Sequence, residues 1–251
     1  MTTLNTNENY LMELKLHGIR NNLGHRLKDG LDEKLGYEEF LGLCLFDEIE
    51  HRRNVKVQRL VYNATFRSSA TPEGIDFAAS RSLDKKQIAE LSTSRFIRDG
   101  HNLLIVGPTG VGKSYLATAI AMAACRNRHS TLFFRMNTLI EKLSLVRASG
   151  NYLNFLKKIS TVDLIVLDDF GLKPLPPQQY QDLYDILDER IETKSTIVTT
   201  QLPEENWGEV IDDPVTCEAI TRRIVEKAIR IEIKGKPYVK MGKVLTKTDP
   251  S

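Results

Sequence analysis

The stretch Gly107-Pro-Thr-Gly-Val-Gly-Lys-Ser114 constrains the fold more than any other part of the chain. It fits the pattern G-x-x-x-x-G-K-[ST] in full. The apolar run Leu103-Leu104-Ile105-Val106 precedes it, as a buried strand would, and a helical run from Tyr115 to Cys125 follows. A strand, a glycine turn and a helix start together make a cradle for phosphate. Gly107, Gly110 and Gly112 let the backbone wrap so that several N–H groups face one anion. The helix dipole adds a favourable field at the same place. Pro108, Thr109 and Val111 complete the loop, and Tyr115 continues it into the helix. Lys113 is expected to reach the β- and γ-phosphates of a nucleoside triphosphate, and the Ser114 hydroxyl to ligate Mg²⁺.

From residue 102 onward the pattern alternates. Strands are expected at 102–106, 131–135, 163–168, 196–200 and 229–233, with helices at 113–127, 137–148, 151–159, 178–193 and 215–226. Such alternation implies a parallel sheet with helices on both faces. Runs such as Leu164-Ile-Val-Leu167 are apolar without a break, as strands covered on both sides are. The fold class is therefore α/β, a P-loop three-layer parallel sheet, with a small all-helical N-terminal domain and no sizeable C-terminal lid.

The N-terminal part reads as helical. Leu11, Leu14, Leu16, Ile19, Leu23 and Leu27 suggest one amphipathic stretch punctuated by Gly30 and Gly36. Tyr37 opens a longer helix carrying Leu41, Leu45, Ile49, Val57 and Leu60. Its second half is basic, with His51, Arg52, Arg53, Lys56 and Arg59, and Arg67 follows; these form either a solvated face or a phosphate- or partner-docking one. The expected organisation is a helical docking domain at 1–70, a linker and leading helix at 71–98, the nucleotide domain at 99–241 and a flexible tail at 242–251. Leu83 to Arg98 is expected as a single helix.

Three further motifs carry chemistry. Leu164-Ile-Val-Leu-Asp168-Asp169 is a Walker B signature. Its strand delivers two carboxylates to the carboxyl edge of the sheet beside the phosphate loop. Asp168 is expected to hold Mg²⁺, and Asp169 to polarise the attacking water. Thr196-Ile-Val-Thr-Thr200-Gln201 ends another apolar strand in polar groups, and the Gln201 amide, with Thr200 as second choice, suits orientation of that water. In Glu218-Ala-Ile-Thr-Arg222-Arg223-Ile-Val225, a late arginine can serve as a finger that stabilises the transferring phosphoryl group, or can simply pair with Glu226 or another acid.

Composition excludes several classes. The formal net charge of +2 does not by itself argue for nucleic acid, so only local patches can. Cys44, Cys125 and Cys217 are far apart and imply neither a disulfide framework nor a zinc site. Residues 1–8 lack a signal-peptide core, and no apolar run approaches the roughly 18 residues of a membrane span. A soluble cytoplasmic protein is expected.

Together these motifs resemble the AAA+ ATPases, more closely their DnaA/DnaC-like branch, and most closely the IstB-like transposition helpers of bacterial insertion sequences. The resemblance is carried by Tyr37-Glu-Glu-Phe-Leu41, Glu48-Ile-Glu-His-Arg-Arg53, Asp76-Phe77, Gly107 to Ser114, Asp168-Asp169-Phe-Gly171, Asp188-Glu-Arg190, Thr199-Thr-Gln-Leu-Pro203, Trp207 and Ala219 to Val225, and spans residues 8 to 240. It implies an Mg²⁺-dependent ATPase that self-assembles as a ring or filament on duplex DNA, bends it, and recruits the transposase of the same element. The DnaC-like cousins imply an alternative, a helicase-loading ATPase acting on single-stranded DNA. The family's late arginine acts across a subunit interface, which favours Arg223, although Arg222 stands where the family has aspartate. The family's Gly-x-Ser-x-Arg pattern is here Gly235-Lys-Pro-Tyr-Val-Lys240, so only Lys240 is present to replace its arginine. DNA contact is expected from Lys142, Arg147, Lys157 and Lys158 after the second strand, through phosphates and without base reading. A small-metabolite kinase fits less well, because two acids and a finger-like arginine suit hydrolysis coupled to assembly.

Overall fold

A computed structural model describes residues 3–77 and 82–235. The chain divides into two compact units, residues 1–60 and 61–251. The larger unit is built on five strands, β1 (Asn102–Val106), β2 (Thr131–Arg135), β3 (Leu164–Phe170), β4 (Ser195–Thr200) and β5 (Ala228–Glu232). Their order across the sheet is β2-β3-β4-β1-β5, and every pairing is parallel. Each expected strand is present within a residue or two of its expected ends.

The crossovers supply the covering layers. Helices α6 (Lys113–Arg126), α7 (Met136–Ala148), α8 (Tyr152–Thr161), α9 (Pro177–Asp188) and α10 (Pro214–Val225) lie between the strands. Successive side chains of a strand face opposite ways, so each central strand feeds two cores. Leu103, Ile105, Val166 and Ile197 pack with Ala117, Ile120 and Ala124 of α6. Leu104, Ile165, Leu167 and Val198 pack with Leu139 of α7, Leu183 of α9 and Ile220 of α10. This two-sided burial is why β1 and β3 carry unbroken apolar runs.

In the larger unit two expectations change. The single helix over 83–98 is instead α4 (Lys85–Ser92) and α5 (Arg95–Arg98). The Ser92 hydroxyl donates to Ile88 O at 2.8 Å and the Thr93 hydroxyl to Glu90 O at 2.7 Å, and such local bonds compete with helix continuation. Ser94 then takes a left-handed φ of 61° and is held by Asn127 Nδ2 at 2.9 Å. The helix expected to reach residue 193 stops at Asp188. Beyond it Arg190 turns inward and donates to Ile159 O at 2.6 Å, Val162 O at 2.8 Å and Ser195 O at 2.6 Å. Burial pulls the pKa of its guanidinium down to about 9.

The smaller unit holds α1 (Thr3–Glu13), α2 (His17–Asp32) and the start of α3 (Tyr37–Ala64). The expected amphipathic stretch from Leu11 to Leu27 breaks at Leu14 to Leu16, and Gly30 lies inside α2 rather than ending it. Ile19, Leu23 and Cys44 are buried, whereas Leu41, Leu45 and Ile49 are exposed. Polar contacts join α2 to α3 instead. Arg26 grips Asp47 with two bonds of 2.8 and 2.7 Å, which holds the Asp47 carboxyl below its ordinary range. Leu16 offers α2 no cap, so Glu48 accepts from Gly18 N at 2.7 Å and Ile19 N at 3.3 Å. Among the described residues no helix is long and apolar enough to cross a membrane.

Arg190→Met should lower unfolding stability by about 3 kcal/mol, because three buried carbonyls lose their donor. Urea titration measures this, and a change below about 0.5 kcal/mol, within the range of ordinary surface substitutions, would show that the bonds do not matter.

Candidate nucleotide site

Parallel strands end together, so the loop after β1 lies beside the tip of β4. Gly107 N donates to Thr200 O at 3.2 Å. A Cβ on Gly107 would stand 2.5 Å from Ile233 O, because the chain leaving β5 crosses the loop there. Gly110 and Gly112 hold φ of 80° and 100°, which side chains rarely adopt. Gly112 is also the N-cap of α6, and no side chain caps that helix. Its first N–H groups are therefore available to an anion.

Lys113 is buried beneath the loop. Its Nζ donates to Gly107 O and Pro108 O, each at 2.8 Å. Burial lowers its pKa, against which the negative charges of Asp169 and Asp168 act. Val111 is buried and Ser114 half-buried. Tyr115 donates from its hydroxyl to Gly74 O at 3.0 Å, which brings the turn Pro72–Gly74 alongside the start of α6.

The acid pair departs from a regular strand end. β3 continues to Phe170, with an irregularity in its pairing with β4 between Leu167 and Phe170. Asp169 sits in that irregularity at a left-handed φ of 61°. Regular alternation would send adjacent side chains to opposite faces, and the bulge re-aims one of them. Asp168 is 1 % exposed. Asp169 is half-buried, and burial, with the like charge of Asp168, raises its pKa. Thr199 of β4 ties the two together. Its hydroxyl donates to Asp168 Oδ1 at 2.6 Å and accepts from Asp169 N at 3.0 Å. Arg135, which ends β2, approaches Asp169 Oδ2 at 3.9 Å.

Gln201 Oε1 accepts from Thr109 Oγ1 at 2.5 Å, so the amide stands against the phosphate loop. Thr200 is engaged by its own turn, through Leu202 N and Leu202 O at 3.0 Å each. The structure thus brings together the loop, Lys113, Asp168, Asp169 and Gln201. Nothing in the sequence pointed to Arg135, and Arg190 and Thr199 entered only as part of the family pattern, without a role; the signal for Thr199 is the polar tip of β4 that also carries Gln201 and Thr200.

The late arginines lie elsewhere. Asn102, which opens β1, donates from Nδ2 to Arg223 O at 2.8 Å and Ile224 O at 3.1 Å. The end of α10 is therefore at the amino edge of the sheet, a strand length of about 15 Å from the loop. Arg223 binds Asp188 Oδ1 through Nε at 3.0 Å and Nη2 at 2.5 Å, and stacks 4.2 Å from the centre of the Tyr184 ring. Its side chain is 18 % exposed, whereas that of Arg222 is 72 % exposed and pairs with Glu226 at 3.2 Å. Neither belongs to the loop cluster of its own chain.

Of the basic residues expected to meet DNA, Lys157 and Lys158 are exposed on α8. Lys142 is exposed too, with Nζ 5.1 Å from the Phe155 ring centre. Arg147 is not free: its Nε donates to the buried Asp182 at 2.7 Å and its guanidinium stacks 3.7 Å over Tyr152. On α3, Arg52 pairs with Glu48 and Arg53 with Glu50, at 2.7 and 2.6 Å. Lys240 lies outside the described residues.

Residues 9–246 match the model of a family described as IstB-like ATP binding protein. An insertion-sequence ATP-binding protein of Sinorhizobium fredii is 37% identical over 225 residues, covering 90% of this chain and 92% of its own length. The DnaC helicase loader superposes with a TM-score of 0.55 at 25% identity, over 66% of this chain and 97% of the loader. The replication initiator DnaA bound to AMPPCP and single-stranded DNA shares the fold, with a TM-score of 0.58 at 15% identity, over 68% of this chain and 52% of DnaA.

Lys113→Ala should lose ATP binding, read with a fluorescent ATP analogue; tight binding by the variant would refute the site. Thr199→Val should fold and bind ATP normally yet turn it over about tenfold more slowly, equivalent to about 1.4 kcal/mol in the barrier. Thr199→Ser should restore the rate, and an unimpaired valine variant would show that the bridge is dispensable.

Proposed function

The chain belongs to the IstB-like ATP-binding protein family, and on that footing we propose that it is an ATP-hydrolysing helper of transposition. It assembles on duplex target DNA, remodels it, and recruits and stimulates the transposase of its own element, while hydrolysis to ADP and phosphate drives disassembly. The observation that carries this reading is the convergence of Lys113, Asp168, Asp169 and Gln201 at one sheet edge, around an uncapped helix start.

The chemistry follows from those positions. The open N–H groups of the loop bind the phosphates, and Lys113 leaves the carbonyls of Gly107 and Pro108 to meet the γ-phosphate. The Asp169 carboxylate orients the attacking water and accepts its proton, while the Gln201 amide fixes its position against Thr109. Thr199 keeps the two acids in register. Ser114 and Asp168 form a hard oxygen donor set that suits Mg²⁺, which when bound offsets charge on the β- and γ-phosphates.

Arg222 and Arg223 stand at the other edge of the sheet, out of reach of the phosphate loop of their own chain. The reading therefore requires a second copy whose Arg223, or Arg222 in its place, reaches the γ-phosphate. Lys142, Lys157 and Lys158 supply phosphate contacts to duplex DNA, and residues 1–70 dock partners. The protein acts in the cytoplasm. The likeness to the DnaC helicase loader supports a second reading, a helicase-loading ATPase on single-stranded DNA.

Asp169→Asn should bind ATP without turning it over and so hold the DNA-bound assembly; brisk hydrolysis by that variant would remove Asp169 from the mechanism. Binding to labelled duplex and single strands, with and without a non-hydrolysable ATP analogue across a salt series, separates the two readings. ATP-dependent, cooperative, salt-sensitive binding that favours duplex is the expected result. A preference for single strands favours the loader, and no DNA binding overturns both.

A further inference from the structure

Arg223 gives most of its donors to its own chain. Its Nε and Nη2 donate to Asp188 Oδ1 at 3.0 and 2.5 Å, Nη2 donates also to the Tyr184 hydroxyl at 2.8 Å, and Nη1 donates to Ala219 O at 3.0 Å. These bonds use four of the five N–H groups of an arginine and leave one on Nη1. The Tyr184 ring covers a face of the guanidinium, its centre 4.2 Å away. Both partners come from α9, Tyr184 one turn before its end and Asp188 at its end. A phosphate is gripped by arginine through a fork of two donors, and Arg223 has no free fork while it holds Asp188. The pair is nonetheless within reach from outside, because the Asp188 side chain is 50 % exposed.

We propose that Asp188 and Tyr184 form a latch on Arg223, which opens toward the γ-phosphate of a nucleotide held by a second copy. The inference rests on the assembly reading above and names the residue that sets how much ATP assembly needs. Opening exchanges one oxyanion for another: the fork leaves the Asp188 carboxylate and takes the more highly charged phosphate. ADP ends at its β-phosphate and offers no acceptor at that place, so the latch stays shut against it. The backbone need not move, because Asn102 Nδ2 holds Arg223 O at 2.8 Å while the side chain swings.

A closed latch acts as a threshold. When the competent state is a fraction of the population, the apparent affinity falls by that fraction. Asp188 is therefore a positioning residue, not a catalytic one, since it never touches nucleotide. The sign of its effect separates this role from a structural one. If the bonds merely clasp α9 to α10, cutting them weakens assembly; if they restrain Arg223, cutting them favours it. Arg222 carries no such threshold, because its pair with Glu226 is an exposed one on its own helix.

The test follows assembly of the full chain on a short duplex by sedimentation velocity, against the concentration of a non-hydrolysable ATP analogue or of ADP, with ATP turnover measured in parallel. Wild type should assemble with the analogue and not with ADP. Asp188→Asn should reach half-assembly at an analogue concentration lower by on the order of tenfold, with turnover at saturating ATP unchanged. Tyr184→Phe, which keeps the ring and removes one acceptor, should shift the same way by less, and Asp188→Glu should restore the wild-type threshold. Thermal unfolding confirms that each variant is folded, and Tyr184→Phe alone decides the matter if Asp188→Asn is not. Thresholds that are unchanged or raised in the folded variants overturn the latch, provided that wild type assembles and Arg223→Ala does not. A loss confined to Arg222→Ala also overturns the latch, and leaves the assembly reading with Arg222 as the finger. Wild type that fails to assemble with the analogue, or full assembly and turnover in both arginine variants, overturns that reading and this inference with it.

Discussion

Parallel pairing of β1 with β4 and of β4 with β3 is the constraint on which the site depends. Because all three strands run the same way, their carboxyl ends meet at one edge. That edge gathers the phosphate loop, the two acids and the polar tip of β4 from segments far apart in sequence. Cross-strand hydrogen bonds then set the details. Gly107 N holds Thr200 O, and Thr199 joins the acids through its hydroxyl. A register slip between β3 and β4 would separate Thr199 from Asp168 and turn the strand faces over.

The electrostatics of the edge suit an anion with a counter-ion. Lys113 is a buried cation whose donors are occupied by carbonyls of its own loop. Asp168 is buried with one hydroxyl donor, and Asp169 is destabilised as an anion by burial and by its neighbour. Each of these groups gains from a polyanion carrying its own divalent cation, which is the charge pattern of a nucleoside triphosphate with Mg²⁺.

Much of this was legible in the sequence, and the reasons are physical. β1 and β3 were visible because two-sided burial demands unbroken apolar runs, and the loop because its glycines are needed for conformation and close approach. What was not legible depended on contacts between distant segments. Nothing local announces that Asp188 will capture Arg223, or that Asp182 will claim Arg147. The break at Ser94 follows from serine and threonine back-bonding plus Asn127, a residue well downstream. The bulge at Asp169 is a property of the β3–β4 pair rather than of Leu164-Ile-Val-Leu-Asp-Asp169 itself. On α3 the apolar spacing of Leu41, Leu45 and Ile49 suggested an inward face, yet these side chains are exposed and the helix meets α2 through Asp47 and Glu48.

The loop, the acids and Lys113 stand at one edge of the sheet and Arg222 and Arg223 at the other, so a finger from either arginine has to come from a second copy. Mixing two variants tests this most directly. Lys113→Ala keeps the arginines and cannot bind nucleotide, whereas Arg223→Ala keeps the loop and lacks the distal cation. Each alone should be nearly inactive, and ATP turnover should return on mixing, because one copy then supplies what the other lacks. Turnover that stays absent in the mixture, or an Arg223→Ala protein that is fully active by itself with Arg222→Ala equally active, would contradict a site completed between copies.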